Sequence, residues 1–310
     1  MQNFGIVVHG GAGPDSEHIH QNEKGYHEGL QAALDAGYSV LEEGGSAIDA
    51  VEAAVNVLEN NPLFNAGRGS AINQKAQVEM CASIMDGSNG KSGAVAIVRN
   101  VKNPVTLARA VMEKTNHIYL GSYGALDFAK NIGISLEPDA YFVTEYQYDS
   151  YESARKEADG NTQDTALEEI GSRMHGTVGA VAVDKEGNVA AATSTGGTEY
   201  AKEGRIGDSS MIGVGSYAEN ETCAVSTTGD GEYLIKRVAG HEIASLVRYA
   251  GLGVPEAIHR FIHIDNKGTE GDMGMISIDR EGNFGMAFNS ERMHRGVKTN
   301  DGYTGTWIYP

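Results

Sequence analysis

The sequence is poor in several of the residues that would mark out a special class. It has two cysteines, Cys81 and Cys223, in 310 residues. Two thiols cannot build a disulfide framework, nor a structural zinc site without other ligands. They fit a reducing, cytoplasmic compartment as buried small hydrophobes. Basic residues are scarce as well. Lys and Arg number 24 against 42 Asp and Glu, a net charge of −18. Nucleic acid is therefore not an expected partner, because phosphate contacts need clustered Lys and Arg. Long apolar runs are missing too. No stretch approaches the ~20 residues of a membrane span. The segment from Met1 to Gly13 has no Lys or Arg and only Ile6 to Val8 as an apolar run, unlike a signal peptide.

Present instead are a 40% hydrophobic fraction, too high for a disordered chain, and 41 glycines. The glycines imply many turns, or backbone that must approach something closely. A chain this long can bury a large core as one big domain or two smaller ones.

The charge is uneven. Residues 145–169 carry eight acids and two bases, and the stretch contains Asp159-Gly160-Asn161-Thr162-Gln163. It reads as a poorly packed, solvated linker. Before it, Phe4 to His9 reads as a buried strand running into Gly10-Gly11-Ala12-Gly13. Gly25 to Glu43 has helical spacing, ended by Gly44-Gly45. Ser46 can cap the next helix, and Ser92 to Val98 reads as a strand. Pro104 to Lys114 reads as a helix with Pro in its first turn, and Tyr123 to Asn131 as another.

After it, Val178 to Asp184 pairs with Val189 to Thr195, and Met275 to Asp279 with Phe284 to Phe288. Both hairpins turn on Asp-x-Glu-Gly-Asn. A strand over Thr222 to Ser226 and helices over Glu232 to Ala250 and Pro255 to Ile264 lie between them. Strands and helices in both parts imply a layered α+β sandwich that neither part closes alone.

Several familiar motifs fail. Gly90-Lys91-Ser92 lacks the leading glycine of a phosphate loop, since position 85 is Met85. Gly213-x-Gly215-x-x-Ala218 has dinucleotide spacing, but the next segment reads as a strand instead of a helix. His9-Gly10-Gly11 resembles an esterase oxyanion loop, yet no Gly-x-Ser-x-Gly elbow exists. His241-Glu242 meets Ser245 where a zinc-protease helix needs His. His259 and His263 share a face with Glu256 and Arg260, which reads as a solvated face rather than a metal site.

The segment His175-Gly176-Thr177-Val178-Gly179-Ala180-Val181-Ala182-Val183-Asp184 carries the chemistry. Thr177 opens a buried strand directly after the acidic stretch. A threonine hydroxyl is a weak nucleophile and needs a base. Cleavage before Thr177 would supply one, because an α-amine has a pKa of about 7.7–8.0. Gly176 permits a strained geometry at such a bond.

The chain resembles the plant-type L-asparaginase/isoaspartyl peptidase family of N-terminal-nucleophile hydrolases. The resemblance spans nearly the whole chain. It rests on HGGAG (His9 to Gly13), NPLFNAGRGS (Asn61 to Ser70), MDG (Met85 to Gly87) with SGAVA (Ser92 to Ala96), and HGTVGAVAVD. TSTGG (Thr193 to Gly197), GRIGDS (Gly204 to Ser209) and STTGDGE (Ser226 to Glu232) come after these in order.

The resemblance implies a four-layer αββα sandwich forming a single domain over residues 1–310. It implies self-cleavage between Gly176 and Thr177 into pieces 1–176 and 177–310. Thr177 would be the nucleophile, oriented by Thr195, with Asn65 close by. Thr228 and the N–H of Gly229 would form the oxyanion hole. Arg205 would grip a substrate α-carboxylate, and Asp208, with Gly231 nearby, the α-ammonium. The substrates are then small zwitterions, namely L-asparagine and β-aspartyl dipeptides. The related glycosylasparaginases are the alternative, but they tend to carry Asp where Gly176 stands and to be exported. A non-enzymatic binding protein on the same fold, with Thr177 never freed, is a third reading.

No cofactor is implied for catalysis. The resemblance does imply a structural sodium ion on the backbone carbonyls of Leu58, Glu59, Asn61, Phe64, Ala66 and Arg68, and a homodimer of cleaved pairs. One departure is Asp230, a carboxylate beside the oxyanion-hole pair.

Overall fold

A computed structural model describes residues 3–160 and 176–310. The first piece contributes β1 (Gly5–Gly13), α1 (Glu17–Glu42), α2 (Ala47–Asn60), β2 (Met80–Asp86), β3 (Ser92–Val98), α3 (Pro104–Lys114), β4 (Tyr119–Gly121), α4 (Ser122–Asn131), α5 (Asp139–Phe142) and α6 (Glu145–Gly160). The second contributes β5 (Val178–Val183), β6 (Val189–Thr195), β7 (Ser216–Ala218), β8 (Ala224–Gly229), α7 (Gly231–Arg237), α8 (Ala239–Ala250), α9 (Val254–Arg260), β9 (Met273–Ile278), β10 (Phe284–Phe288), β11 (Arg292–Thr299) and β12 (Thr304–Trp307).

The strands form two sheets. One runs β12-β11-β1-β5-β6-β2-β3-β4, and the other runs β10-β9-β8-β7. Alternation along each strand decides which core a side chain joins. In β5, Val178, Ala180 and Ala182 face the helices α1, α2 and α3. Val181 and Val183 face the other way, against Ala224, Ile276 and Ile278 of the smaller sheet. The outer face of that sheet buries Val225, Met273 and Met275 under Leu234, Ile243, Ala257 and Ile258 of the last three helices and Phe261 just after them. Three apolar seams between four layers make the αββα sandwich.

Local chemistry explains the elements. Ser46 accepts a hydrogen bond from the Asp49 N–H and starts α2. Pro104 occupies the first turn of α3, where its missing N–H costs nothing. Val238, with φ +50°, breaks the expected long helix into α7 and α8. The expected helix over Pro255 to Ile264 is α9 followed by a π-helical turn, Phe261–Asp265. The strand expected at Thr222 to Ser226 lies at Ala224–Gly229.

The acidic stretch needs correction over its first part. Residues 145–160 are helical, and Gln147, Tyr151 and Ala154 are buried at helical spacing. Glu145, Asp149 and Glu157 lie on the outer face. The charge is real, but it covers one side of a helix instead of solvating a linker. The remainder, 161–175, lies outside the described residues.

Candidate active site

Thr177 lies immediately before β5, between the two sheets, and is buried. The register Val178↔Ser194 places it near the end of β6, where Thr195 closes the neighbouring strand. Residues of even and odd number point to opposite faces, so Thr177, Thr193 and Thr195 share the inter-sheet face.

The carbonyl oxygen of Gly176 receives two hydrogen bonds. One comes from Asn65 Nδ2 at 2.9 Å and the other from the Thr195 hydroxyl at 3.0 Å. Asn65 is itself held on three sides. Its Nδ2 also donates to the Gly197 carbonyl at 2.7 Å, its Oδ1 accepts the Ala71 N–H at 2.8 Å, and its own carbonyl accepts the Gly196 N–H. The amide is therefore fixed before any reaction begins.

The glycine run of β1 presses on the same bond. A Cβ on Gly11, which sits at φ +112°, would stand 3.0 Å from the Gly176 Cα and 3.4 Å from the Thr177 nitrogen. Only glycine allows both that conformation and that approach. The next residue, Ala12, donates its N–H to the Thr228 hydroxyl at 3.2 Å. Adjacent residues of one strand thus reach both Thr177 and Thr228, which lie far apart along the chain. Gly229 comes next at φ +122°, close against the Asp272 backbone.

His9 holds the other side of Thr177. Its Nδ1 lies 3.0 Å from the Thr177 carbonyl oxygen, so Nδ1 carries the proton. Its Nε2 then accepts from the Ser226 hydroxyl at 2.8 Å. Burial pushes the ring down to about 3, against the opposing effect of the Thr177 bond, so the imidazole is neutral. The buried hydroxyl chain continues through Thr193, Ser216 and Ser83 at 2.7–2.9 Å. Ser83 ends it by donating to the Ser209 carbonyl. The Ser209 hydroxyl stands 3.4 Å from the Thr177 hydroxyl.

Asp208 and Arg205 meet at Gly231. A Cβ there would lie 2.7 Å from Asp208 Oδ1 and 3.2 Å from Arg205 Nη2, so a glycine is required. Asp208 is buried and accepts from the Thr227 hydroxyl at 3.0 Å. Burial raises its carboxyl to about 6, opposed by the Thr227 bond and the nearby Arg205 charge. Arg205 grips Glu232 with two nitrogens, at 2.8–3.1 Å.

Asp230 is turned away from threonine chemistry. Its Oδ2 accepts the Asp272 N–H at 2.8 Å and its own N–H donates to the Asp272 carbonyl at 2.7 Å, bracing β8 against the start of β9.

The 58–69 loop winds on itself. Arg68 donates its N–H to the Glu59 carbonyl at 2.7 Å, and a Cβ on Gly69 would meet the Pro62 and Phe64 carbonyl oxygens within 2.7 Å. Neutral carbonyl oxygens gathered in one loop suit a hard cation that prefers oxygen. Among the described residues no three His, Cys, Asp or Glu group together as metal ligands. His259 and His263 are exposed neighbours, ring centroids 4.9 Å apart.

Sequence reasoning thus names Asn65, Thr177, Thr195, Arg205, Asp208, Thr228, Gly229 and Gly231, and the structure gathers them around one end of the inter-sheet seam. It misses His9, Thr227, Ser209 and Glu232. Each sits inside a quoted motif, but nothing in a linear pattern says which motif residue faces Thr177.

A family model described as Asparaginase matches residues 1–308. The chain belongs to this asparaginase family. An isoaspartyl peptidase of Escherichia coli is 42% identical over 297 residues, covering 94% of this chain and 91% of that one. An isoaspartyl peptidase/L-asparaginase of Xenopus laevis is 44% identical over 288 residues, covering 93% and 90%. The human isoaspartyl peptidase/L-asparaginase is 42% identical over 292 residues, covering 93% and 91%. None of these names mentions a glycosylasparaginase. No helix among the described residues is long and apolar enough to cross a membrane.

Proposed function

We propose that the protein is an isoaspartyl peptidase and L-asparaginase whose nucleophile, Thr177, is freed by self-cleavage. One observation carries the reading: two pre-aimed donors, from Asn65 and Thr195, converge on the Gly176 carbonyl oxygen.

In the self-cleavage, the Thr177 hydroxyl attacks the Gly176 carbonyl carbon. Negative charge collects on the oxygen that Asn65 and Thr195 already hold, which is how an oxyanion hole lowers a barrier. The C–N bond breaks, the acyl group passes to the Thr177 oxygen, and water hydrolyses that ester. The products are a carboxylate on Gly176 and a free amine on Thr177. His9 keeps the Thr177 carbonyl fixed while this happens.

In the cut protein the amine takes the hydroxyl proton, and the Thr177 oxygen attacks the side-chain carbonyl of the substrate. Thr228 and the Gly229 N–H hold the new oxyanion. The amine returns the proton to the leaving nitrogen, and ammonia or an amino acid departs. Water then releases aspartate. Asp208 takes the substrate ammonium. Arg205 takes the carboxylate while Glu232 braces its guanidinium. Both grips need free α-groups, so an Asn inside a peptide chain is refused.

A sodium ion would be held by the carbonyls of Leu58, Glu59, Asn61, Phe64, Ala66 and Arg68, fixing the loop that carries Asn65. Two further assignments complete the reading. The assembly is a homodimer of cleaved pairs, supported by the family resemblance. The compartment is the cytoplasm, supported by two buried free cysteines.

Intact mass and a denaturing gel test the core of this. Pieces 1–176 and 177–310 are expected, with aspartate released from β-Asp-Leu and L-asparagine, and Thr177→Ala stays whole. A chain that remains intact and inert after long incubation overturns it. Faster turnover of glycosyl-asparagine would favour the glycosylasparaginase alternative.

A further inference from the structure

A cavity of about 80 Å³ opens at Gly176, next to the Gly176–Thr177 bond, and neither Asp208 nor Arg205 is among its described lining residues. Gly176, Asn65, Arg292, His294 and Gln147 all line it. Space of that size takes a small polar group with a water or two.

Its polar lining is incomplete. Arg292 is 8% exposed. Among the described residues its guanidinium donates to neutral acceptors: the Pro14 carbonyl at 3.1 Å, the Gly11 carbonyl at 3.4 Å and His294 Nδ1 at 3.0 Å. Asp15, which also lines the cavity, bonds to His20 and to the Ser16 N–H. Among the described residues no carboxylate lies within ion-pair distance of Arg292. Buried charges are ordinarily paired.

His294 is also buried. A guanidinium can only donate, so His294 Nδ1 accepts. Burial and the Arg292 charge hold the ring well below 6.5, against the opposing effect of the Gly11 backbone, so it is neutral; with Nδ1 accepting from Arg292, the proton is on Nε2. Among the described residues that Nε2 has no hydrogen-bond partner, and neither does the buried Gln147 Oε1. A cation, a donor and an acceptor that are unused among the described residues therefore belong to side chains lining one small space. The complement is a carboxylate with an N–H close behind it.

We propose that this cavity is a carboxylate-binding subsite, built from Arg292 and His294, adjoining the nucleophile. The proposal rests on the hydrolase reading above. Two carboxylates can reach it. One belongs to the amino acid leaving a β-aspartyl dipeptide. Its nitrogen must take a proton from the Thr177 amine, so it occupies the space that Gly176 fills before the cut, next to this cavity. The other is the carboxylate that the cut leaves on Gly176 itself. Both sources carry an N–H near the carboxylate, which suits Gln147 Oε1.

Arg292→Gln and Arg292→Lys, checked for melting temperature, are compared with wild type on three substrates. These are β-Asp-Leu, L-asparagine and N4-isopentyl-L-asparagine, which keeps the leucine shape without its carboxylate. If the leaving amino acid is the occupant, Arg292→Gln lowers kcat/KM for β-Asp-Leu about 10- to 100-fold, the scale of a lost charged hydrogen bond. The other two substrates change less than about threefold, and Arg292→Lys recovers part of the loss. If the Gly176 carboxylate is the occupant, the three substrates keep their ratios, and carboxypeptidase trims the first piece faster in Arg292→Gln. Unchanged ratios together with unchanged trimming overturn the proposal.

Should the variants fail to fold, wild type alone decides. Product inhibition by leucine at least tenfold stronger than by isopentylamine supports the leaving-group source. Equal inhibition, with a Gly176 end that carboxypeptidase removes at once, overturns both sources. A wild-type chain that stays whole and inert sinks the hydrolase reading itself, whereas an active enzyme with unchanged ratios and trimming sinks only the subsite.

Discussion

The Asn65 side chain donates to the carbonyl oxygen of Gly176 at 2.9 Å, and three further hydrogen bonds fix Asn65 in that pose. The donor is in place before charge develops, so little reorganisation is needed at the moment of reaction. Asn65→Leu should slow the appearance of the two pieces by about 10²- to 10³-fold, the usual cost of one lost oxyanion donor. A gel time course from freshly made protein measures it. Cutting at the wild-type rate would remove Asn65 from the step.

Thr195→Val removes the second donor and should slow the cut on a similar scale. The two donors share one oxygen, so the double variant is expected to lose less than the sum of the single effects. Full additivity, read from the same time course, would mean that the two act separately.

Asp208 must be ionised to hold an ammonium. Its carboxyl is raised to about 6 by burial, so protonation sets in below that pH. The Thr177 amine must be neutral, which gives log kcat/KM a slope of one below a pKa of about 7.7–8.0. The slope should steepen to two below about pH 6. In Asp208→Asn, KM rises and the second break disappears. A second break that survives in Asp208→Asn assigns it to another group.

Glu59 is fully buried at the end of α2. Its carboxyl accepts from the Val105 N–H and Asn103 Nδ2, both at 3.0 Å. Burial raises it from 4.5 to about 7, against those bonds. The folded state therefore binds this proton more tightly than the unfolded state does. The resulting stabilisation is complete below pH 4.5 and is lost as pH rises through 7. Glu59→Gln removes the dependence. Relative to wild type, the variant should gain roughly 3 kcal/mol between pH 4.5 and pH 8. Urea melts at the two pH values measure it, and a constant difference would contradict the assignment.

Exchange of sodium for choline should lower the melting temperature of the cut protein, with KCl and LiCl at matched ionic strength as controls. An identical melting temperature in all four salts would argue against a cation in the 58–69 loop.

The legibility of the sequence depends on where each signal is stored. Local chemistry is readable: the Ser46 cap, the Pro104 start and the strands at Ser92–Val98 and Val189–Thr195 lie where their residues imply. Five strands go unread, the short β4, β7 and β12 and the longer β2 and β11. Met80–Asp86 is buried on both faces, so it lacks alternation. Arg292–Thr299 reads as charged and polar, yet Arg292 and His294 point inward to the cavity. The acidic stretch misleads because its charge masks the stripe of Gln147, Tyr151 and Ala154. Within the site, residue identities are legible from motifs, but partnerships are not. That Asn65 and Thr195 share the oxygen of Gly176 depends on strand pairing across the whole chain.

The order of the large sheet has a last consequence. Strands before the cut (β1, β2, β3, β4) and after it (β5, β6, β11, β12) are interleaved, with β1 between β11 and β5, and β6 between β5 and β2. Neither piece owns a contiguous half of the sheet. Cutting the Gly176–Thr177 bond would leave this strand order in place but would alter the molecularity of refolding. The intact chain finds its partners within itself, at a rate independent of concentration. A cut protein, once unfolded, would have to reassemble from two chains, and its recovery would become second order. Cleavage would then be a step that leaves the folded sheet joined but that refolding from the denatured state would have to reverse between two chains.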